Sequence, residues 1–215
     1  MAAIMAVTVM SLPAQAAYQN ATAASWVPNQ PVYAIAVTAK RIYLGGEFTR
    51  LTNPDTGASI ARSGLVALDR ATGNPIKSWS ADTDHAVRAL VAGGDGRLYV
   101  GGDFTTIDGV ARAGLAALGS GGTPVAGWAP TPNGRVWDLR VDGSSLYVAG
   151  NFGRIDTIAR PGVARLDLAS GALDYAFNAA VTGGRVQALE VSAGVVYLGG
   201  PSPASVARCA TSPAP

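Results

Sequence analysis

The chain has 215 residues, of which 48% are hydrophobic and 14% charged, and its formal net charge is +2. That length allows one domain with a substantial core. The charges form no basic run, which argues against nucleic acid as a partner because phosphate binding needs clustered lysine and arginine. The lone cysteine, Cys209, cannot form an internal disulfide.

The N-terminal residues 1–16 have the pattern of a secretory signal peptide that lacks its basic first part. An apolar stretch, Ala2 to Pro13, precedes the small-x-small cleavage signal Ala14-Gln15-Ala16. This stretch is too short to span a bilayer. We interpret the missing basic part as a start codon assigned too far downstream; the alternative is an ordinary apolar strand. The pattern predicts a secreted or cell-surface protein.

A linker at residues 17–30 follows, and it ends in Ser25-Trp26-Val27-Pro28, which looks like the tail of a preceding repeat. One motif then recurs three times and begins a fourth time. The copies are Ile42-Tyr43-Leu44-Gly45-Gly46-Glu47-Phe48, Leu98-Tyr99-Val100-Gly101-Gly102-Asp103-Phe104, Leu146-Tyr147-Val148-Ala149-Gly150-Asn151-Phe152 and Val196-Tyr197-Leu198-Gly199-Gly200. Self-similarity at a period near 50 residues indicates one propeller blade per repeat.

The second repeat shows the strands most clearly. Ala86–Val91 alternates as a half-buried strand does, and Arg97–Gly102 is a second strand with small residues where another backbone could approach closely. After a loop, Gly114–Leu118 and Val125–Trp128 complete four antiparallel strands. The sequence therefore predicts an all-β fold, a β-propeller with four-stranded blades, of which about 3.5 to 4 are present, so that the propeller is incomplete. The predicted boundaries are blade 1 at 31–84, blade 2 at 85–133, blade 3 at 134–182 and the start of blade 4 at 183–200.

Several residue types return at fixed positions of the repeat. Leu68-Asp69 leads into Thr72-Gly73, a turn in which Asp accepts backbone hydrogen bonds and Gly takes a positive φ. An aromatic closes each repeat, at Trp79, Trp128 and Phe177, as blade-to-blade packing favours. We assign structural roles in the repeat to Tyr43, Tyr99, Tyr147, Tyr197, Phe48, Phe104, Phe152, Arg62, Arg112 and Arg160.

The tail at residues 201–215 departs from the repeat. Read one nucleotide out of frame, Pro201 through Ala210 can encode Phe-Thr-Ser-Val-Gly-Gly-Ala-Val-Arg, which restores the repeat pattern of Phe104 to Arg112. We therefore interpret this tail as frame-shifted, against the alternative of a natural Pro/Ala-rich tail. On the first interpretation the chain is a fragment, with its missing blades in a longer parent chain.

The Tyr-hydrophobic-Gly-Gly-acidic-Phe motif, the later Arg and the Leu-Asp-x-x-Thr-Gly turn resemble a known class over residues 26 to 200. They are similar to the secreted bacterial β-propeller repeats of the delta-60 or domain-of-unknown-function type, which are kelch-like and related in pattern to cortical polarity-marker propellers. The resemblance implies a longer chain, often joined to adhesive or carbohydrate-associated modules, and it implies no defined catalytic site. Ala67-Leu68-Asp69 with Thr72-Gly73 and Trp79 also resembles blades of quinoprotein dehydrogenases, but the Gly-Gly-x-Phe motif differs from theirs.

Candidate chemistry is sparse. His85 is the only histidine and has Asp82 and Asp84 beside it, a cluster better interpreted as a polar turn between blades than as a metal or catalytic site. Glu47, Asp103 and Asn151 share one position of the repeat. They form either a ring of ligand-binding groups or a set that satisfies turn backbone or pairs with an arginine, and repetition favours the structural alternative.

Departures from the repeat are better site candidates, because a ligand site usually breaks the repeat. Three candidates for ligand binding are Trp137, Tyr175 and Asp55, the last within the enlarged loop Asn53–Ala58. We align Trp137 with Ile35, Ala89 and Ala188, where it either faces the central channel or fills the core.

The sequence thus favours a non-catalytic secreted or cell-surface propeller module that binds or scaffolds a protein or carbohydrate. It predicts no cofactor, no metal, no catalytic residue, no nucleic-acid partner and no stable membrane span after signal cleavage. The alternative is an extracellular propeller enzyme, such as a quinoprotein-like oxidoreductase.

Overall fold

The computed structural model describes residues 26–179, 181, 183 and 185–201, together with the backbone of residues 209–210. The predicted signal peptide, residues 17–25 of the linker and most of the predicted frame-shifted tail lie outside the described residues. Strands and turns make up the described part, and it contains no helix long and apolar enough to cross a membrane.

The strands fall into repeated blades that are preceded by β1 (Val27–Pro28). Blade 1 contains β2 (Val32–Val37), β3 (Arg41–Gly46), β4 (Arg50–Thr52), β5 (Ser59–Ala61) and β6 (Leu65–Asp69). Blade 2 contains β7 (Val87–Ala92), β8 (Leu98–Gly102), β9 (Thr106–Ile107), β10 (Val110–Ala111) and β11 (Leu115–Leu118). Blade 3 contains β12 (Arg135–Asp142), β13 (Ser145–Asn151), β14 (Arg154–Ile155), β15 (Ile158–Ala159) and β16 (Val163–Asp167). Blade 4 contains β17 (Ala188–Ser192), β18 (Val195–Gly199) and β19 (Cys209–Ala210).

Each blade is an antiparallel sheet in which the strands follow one another from the inner to the outer edge in the order of the chain. The sheets are ordered β2-β3-β6, β7-β8-β11, β12-β13-β16 and β17-β18-β19. The first strand of each blade, here called the inner strand, contacts the inner strand of the next blade, as β2 does with β7 and β7 with β12. The chain is therefore an all-β propeller array, and its described residues form no closed ring of sheets.

The fourth strand is shorter than predicted. Instead of a strand at Val125–Trp128, one bridge joins Leu118 to Pro124, and the chain then turns with the Trp128 amide donating to the Val125 carbonyl at 3.1 Å. Proline has no N–H to extend the ladder. Single bridges also join Leu68 to Pro75 and Leu166 to Leu173. Blades 1 to 3 therefore have three full strands and a single outer bridge.

The segment between the second and third strands, predicted as a loop, forms a small outer hairpin. In blade 2 the hairpin is β9–β10, and its buried Ile107 bridges to Thr83 in the connection from blade 1. Pro132 bridges to Ile155 in the same way, and Pro28 of β1 pairs with Leu51. Residues 26–29 thus pack on blade 1 as the end of each blade packs on the next.

The Gly-Gly pair of the repeat is explained by two close contacts. A Cβ added to Gly101 would lie 2.5 Å from Cγ1 of Val136, in the inner strand of the next blade. A Cβ added to Gly102 would lie 2.2 Å from the carbonyl oxygen of Ala86, in the entry to its own blade's inner strand. The motif therefore sets how closely the second strand of a blade approaches the inner strand of the next blade and the start of its own inner strand.

The apolar cores lie between adjacent blades. Between blades 2 and 3, Tyr99 and Trp128 pack in one buried cluster with Leu139 and Leu166. The Tyr99 and Trp128 rings meet edge-on with centroids 5.3 Å apart, and the hydroxyl of Tyr99 and the indole N–H of Trp128 both donate to the carbonyl of Leu168 in blade 3. Equivalent aromatic pairs are Tyr43 with Trp79 and Tyr147 with Phe177. Aromatic stacking and burial thus hold each blade to the next.

Candidate functional site

The polar groups of interest lie at one end of the blades, where the inner strand begins and the second strand ends; we call this the entry end. The inner strands of blades 1, 2 and 3 each carry a β-bulge there. The register shifts between Val32 and Ala34 in blade 1, and equivalent shifts skip Arg88 in blade 2 and Trp137 in blade 3. A bulge inserts one residue and re-aims its side chain.

The bulge corrects our alignment of Trp137. Ile35, Ala89 and Ala188 are not its counterparts, because the register puts Trp137 at the position of Tyr33 and Arg88. In blade 4 the matching residue is Gln187, whose backbone N–H donates to the carbonyl of Gly199. Trp137 is half-buried, and its indole Nε1 is buried with no hydrogen-bond partner among the described residues. The indole therefore lies at the bulge of the inner strand.

A charged cluster joins blades 1, 2 and 3 at the entry end, and we define it as Tyr33, Glu47, Arg88, Asp103 and Arg135. Arg88 donates from Nε and Nη2 to Oδ2 of Asp103 at 2.8 and 2.7 Å. Its Nη2 also lies 3.8 Å from Oε1 of Glu47, and its guanidinium lies 5.1 Å from the centre of the Tyr33 ring. Nε of Arg135 lies 3.5 Å from Oδ1 of Asp103. Arg88 thus crosses the boundary between blades 1 and 2, and Asp103 the boundary between blades 2 and 3.

Two pKa values follow from these contacts. The hydrogen bond between Tyr33 and Glu47 raises the pKa of the Tyr33 phenol, with partial burial and the Glu47 charge acting in the same direction. The hydrogen bonds to Asp103 raise the pKa of Arg88 against the opposing effect of burial. Arg88 therefore stays charged throughout the ordinary pH range.

Glu47, Asp103 and Asn151 lie at the entry end, as their shared position in the repeat requires. The arginines that contact Glu47 and Asp103 are Arg88 and Arg135, which sequence reasoning missed. The repeated arginines have another role. Arg62, Arg112 and Arg160 each donate from Nη2 to backbone carbonyls just before or at the closing aromatic, including those of Lys77, Val125 and Tyr175. These hydrogen bonds connect the outer hairpin to the last turn of the same blade.

Two equivalent clefts open between blades at this end. One of about 270 Å³ lies between blades 1 and 2, and its lining includes Glu47, Asp84 and His85. The other, of about 360 Å³, lies between blades 2 and 3, and Asp103 and Arg135 contribute to its lining. The first cleft is acidic and the second carries both signs of charge, although the surrounding backbone is the same.

The Asp84 carboxylate accepts hydrogen bonds from the backbone of the next blade. Its Oδ1 accepts the amides of Thr105 and Thr106 at 2.8 and 3.0 Å, and its Oδ2 lies 3.3 Å from Nδ1 of the exposed His85. Although burial acts to raise the pKa of Asp84, these hydrogen bonds hold it well below its usual range. Oδ1 of Asp82 accepts the Ser63 amide. No group of three or more metal-ligating side chains occurs in the described part of the chain.

The three candidates from the sequence lie on separate elements, and no described contact joins them. Asp55 is exposed in a loop closed by Asn53, whose Oδ1 accepts the amides of Asp55 and Thr56. Tyr175 is exposed at the outer end of blade 3. Of the three, Trp137 is the one beside the entry-end residues.

A larger groove, of about 650 Å³, lies at the outer edge of blade 1. Its lining includes Trp26, Ile60, Arg62 and Lys77, and the Trp26 indole donates to Oδ1 of Asn74 at 3.0 Å. The equivalent turns of blades 2 and 3 pack on Trp79 and Trp128. The groove therefore lies on the side of blade 1 that faces away from blade 2.

A match to a family model supports the propeller fold. Residues 93–124 and 144–177, in blades 2 and 3, match a family described as a domain of unknown function (DUF5122) beta-propeller. The crystal structure of the computationally designed Ika4 protein is similar over 80% of this chain and 86% of that chain, with a TM-score of 0.52 and 15% identity. The WD40 domain of Neurospora crassa Pan2 aligns over 79% of this chain and 72% of that chain, with a TM-score of 0.31 and 10% identity. No curated protein sequence matches the chain. The chain is a β-propeller repeat protein.

Proposed function

We propose that this chain is a non-catalytic binding module, secreted or on the cell surface, and that the entry end is its ligand-contacting surface. One observation carries the proposal. Side chains at equivalent positions of the entry end change charge from blade to blade while the backbone repeats. Acid becomes amide along Glu47, Asp103 and Asn151, and Ala86 is replaced by Arg135 and Arg185.

This change of charge from blade to blade favours a ligand-contacting role for these positions over a structural role. Residues that hold the blades together, such as the tyrosines, the glycines and the carbonyl-binding arginines, repeat because each blade needs the same contact. A position that keeps its backbone geometry but changes its charge contributes something other than that contact. Propeller loops and end surfaces are where a rigid scaffold presents such groups.

An array of proteins and glycans, probed with the whole chain and with two triple variants, tests the proposal. The entry-end variant carries Glu47→Gln, Arg135→Gln and Arg185→Gln, and the control carries Asp55→Asn, Arg50→Gln and Arg154→Gln on exposed outer hairpins. Both variants lose one acid and two arginines, so their net charges are equal. We expect the entry-end variant to lose a binding signal that the control keeps. Equal signals from both variants would contradict the proposed surface.

Secretion and the absence of catalysis are parts of the same proposal with their own tests. The signal-like residues 1–16 support secretion, and N-terminal sequencing of exported protein should find a start after Ala16. The quinoprotein alternative is tested by adding pyrroloquinoline quinone and calcium and looking for bound cofactor by absorbance. A stoichiometric bound quinone would exclude a purely non-catalytic module.

A further inference from the structure

Two arginines at the entry end flank one asparagine. Arg135 and Arg185 occupy the same position in blades 3 and 4, each directly before the valine that opens the blade. Arg135 pairs with Asn151 inside the blade 3 sheet, and Asn151 forms a bridge to Arg185 across the boundary to blade 4. Since neighbouring strands lie about 4.8 Å apart, the two arginine backbones are separated by roughly 10 Å.

The charge around this pair is not balanced within the described residues. In blade 2 the position of Asn151 is taken by Asp103, which neutralises Arg88. Asn151 has no charge, and no described acid pairs with Arg185. Arg135 has Asp103 at 3.5 Å, but Oδ1 of that carboxylate receives no hydrogen bond, and the Arg135 side chain is 59% exposed. Blades 3 and 4 thus present two exposed guanidinium groups.

An aromatic ring and amides accompany the two cations. Trp137 follows Arg135 by two residues, at the bulge position that Tyr33 holds in blade 1 and Arg88 in blade 2, where the guanidinium of Arg88 stacks on the Tyr33 ring. Asn151 and Gln187 add amide groups that can both donate and accept hydrogen bonds. A flat ring, amides and paired guanidiniums are combined nowhere else among the positions of the entry end.

We propose that Arg135, Trp137, Asn151 and Arg185 bind a carboxylate-bearing saccharide, that is, a uronic acid residue. Guanidinium groups bind carboxylates with two parallel charge-assisted hydrogen bonds. The indole face offers an apolar surface to the C–H face of a sugar ring, and the amides suit its hydroxyls. This inference rests on the proposed function, because it takes the entry end as the ligand-contacting surface and names the chemistry of its ligand.

The first test measures binding of tri-galacturonate to the whole chain by calorimetry at low salt. Arg135→Gln and Arg185→Gln should each weaken binding about tenfold or more, because each removes charge-assisted hydrogen bonds. Arg154→Gln, an exposed arginine on the outer hairpin of blade 3, is the matched control and should leave affinity unchanged. Raising the salt concentration should weaken wild-type binding and reduce the differences between variants.

Two further variants use the repeat itself. Asn151→Asp installs the acid that blades 1 and 2 carry, so it should neutralise the arginines and reduce binding about tenfold. Asp103→Asn removes the acid beside Arg135 and should strengthen binding a few-fold. Thermal melting confirms that each variant is folded. An affinity unchanged by Asn151→Asp and by both arginine variants would overturn the proposed site, as would an absence of tri-galacturonate binding at millimolar concentration.

Variants of Trp137 distinguish a saccharide ligand from an acidic peptide ligand. Trp137→Phe keeps a ring and should retain most of the affinity, whereas Trp137→Leu, which is also apolar, should lose it. Tri-glutamate is the competing probe. If it binds as tightly as tri-galacturonate and is indifferent to Trp137→Leu, the ligand is an acidic peptide and the saccharide assignment is wrong. If instead neutral glycans bind and the arginine variants have no effect, the inference fails while the entry end stands as the binding surface.

Discussion

One apolar position of the inner strand is buried in blades 3 and 4, where another blade precedes it, but exposed in blade 1. Leu139 of blade 3 and Leu189 of blade 4 are 1% and 2% exposed, because each packs on the blade before it. Ile35 of blade 1 pairs with Leu44, the equivalent position on the second strand, yet Ile35 is 61% exposed and the nearby Val37 is 55% exposed. A residue's contribution to this fold is therefore decided by the neighbouring blade and not by its place in its own sheet.

The strongest test of this comparison places a lysine at the buried position in blade 3 and at the equivalent exposed position in blade 1. Leu139→Lys would put an ammonium group in a closed apolar core at a cost of several kcal/mol, comparable with the whole stability of a domain. We expect no soluble folded protein from it. Ile35→Lys meets solvent and should leave the melting temperature nearly unchanged while lowering self-association, since it interrupts an exposed apolar surface. Expression yield, melting curves and light scattering report these results, and folded Leu139→Lys protein would contradict the core assignment.

Truncating an aromatic should give the next largest difference. Trp128 is fully buried, stacks edge-on with Tyr99 and donates to the Leu168 carbonyl. Trp128→Ala should therefore lower the free energy of unfolding by about 3–5 kcal/mol. Trp26 is half-buried at the open side of blade 1, so Trp26→Ala should cost about 1 kcal/mol. Denaturant titration measures both, and equal losses would show that the open side is not open in solution.

A methyl group tests how closely the blades approach. The Cβ of Gly101→Ala would overlap Val136 of the next blade, so the variant should lose about 1–3 kcal/mol. Gly94 lies in a turn with open space around its Cβ position, so Gly94→Ala should be neutral or slightly stabilising. If Gly101→Ala proved neutral, the second strand of blade 2 would pack less tightly on the inner strand of blade 3 than the structure shows. Thermal and denaturant unfolding of the two variants in parallel make the measurement.

The sequence was informative wherever one residue type does one local task. The Asp69 turn is as predicted, because its carboxylate accepts the amides of Ala71 and Thr72, and Asp167 repeats the arrangement with Ser170. The small residues at Gly101 and Gly102 predicted close backbone contact for a steric reason that holds in any blade. Periodicity and glycine placement therefore predicted the blades.

Features that depend on register or on distant partners were not predictable. A bulge leaves no residue signature: Tyr33, Arg88 and Trp137 share a backbone position and no chemistry, so the alignment of Trp137 was wrong. The outer hairpin of blade 2 has strands of two residues, too short for alternation to show. The partners of Asp103 were missed because Arg88 occurs where the other blades carry different residues, and because an arginine at the position of Arg135 returns in blade 4 and not in blades 1 and 2. Reading those departures together, once the bulge is known, would have located the entry-end residues.

The smallest expected effect concerns the connection between blades. Asp84 accepts the Thr105 and Thr106 amides, and Asn29 and Asn133 do the same for Thr49–Arg50 and Gly153–Arg154. Asp84→Asn should therefore cost less than about 1 kcal/mol at neutral pH, whereas Asp84→Ala leaves two amides without an acceptor and should cost about 1–3 kcal/mol.

The pH dependence of the same variants gives the sharper result. Because the folded protein holds the pKa of Asp84 below its unfolded value, this carboxylate adds stability above the unfolded pKa of about 4 and loses that contribution as the pH falls toward the folded pKa. The difference in unfolding free energy between wild type and Asp84→Asn should thus shrink between pH 6 and pH 3, as denaturant titrations at the two pH values would show. A difference that stayed constant would mean that the Asp84 charge contributes nothing and that any hydrogen-bond acceptor serves at this connection. Because Asn29 and Asn133 accept the equivalent amides at the other two connections without a charge, we expect the charge of Asp84 to add only a small stabilisation.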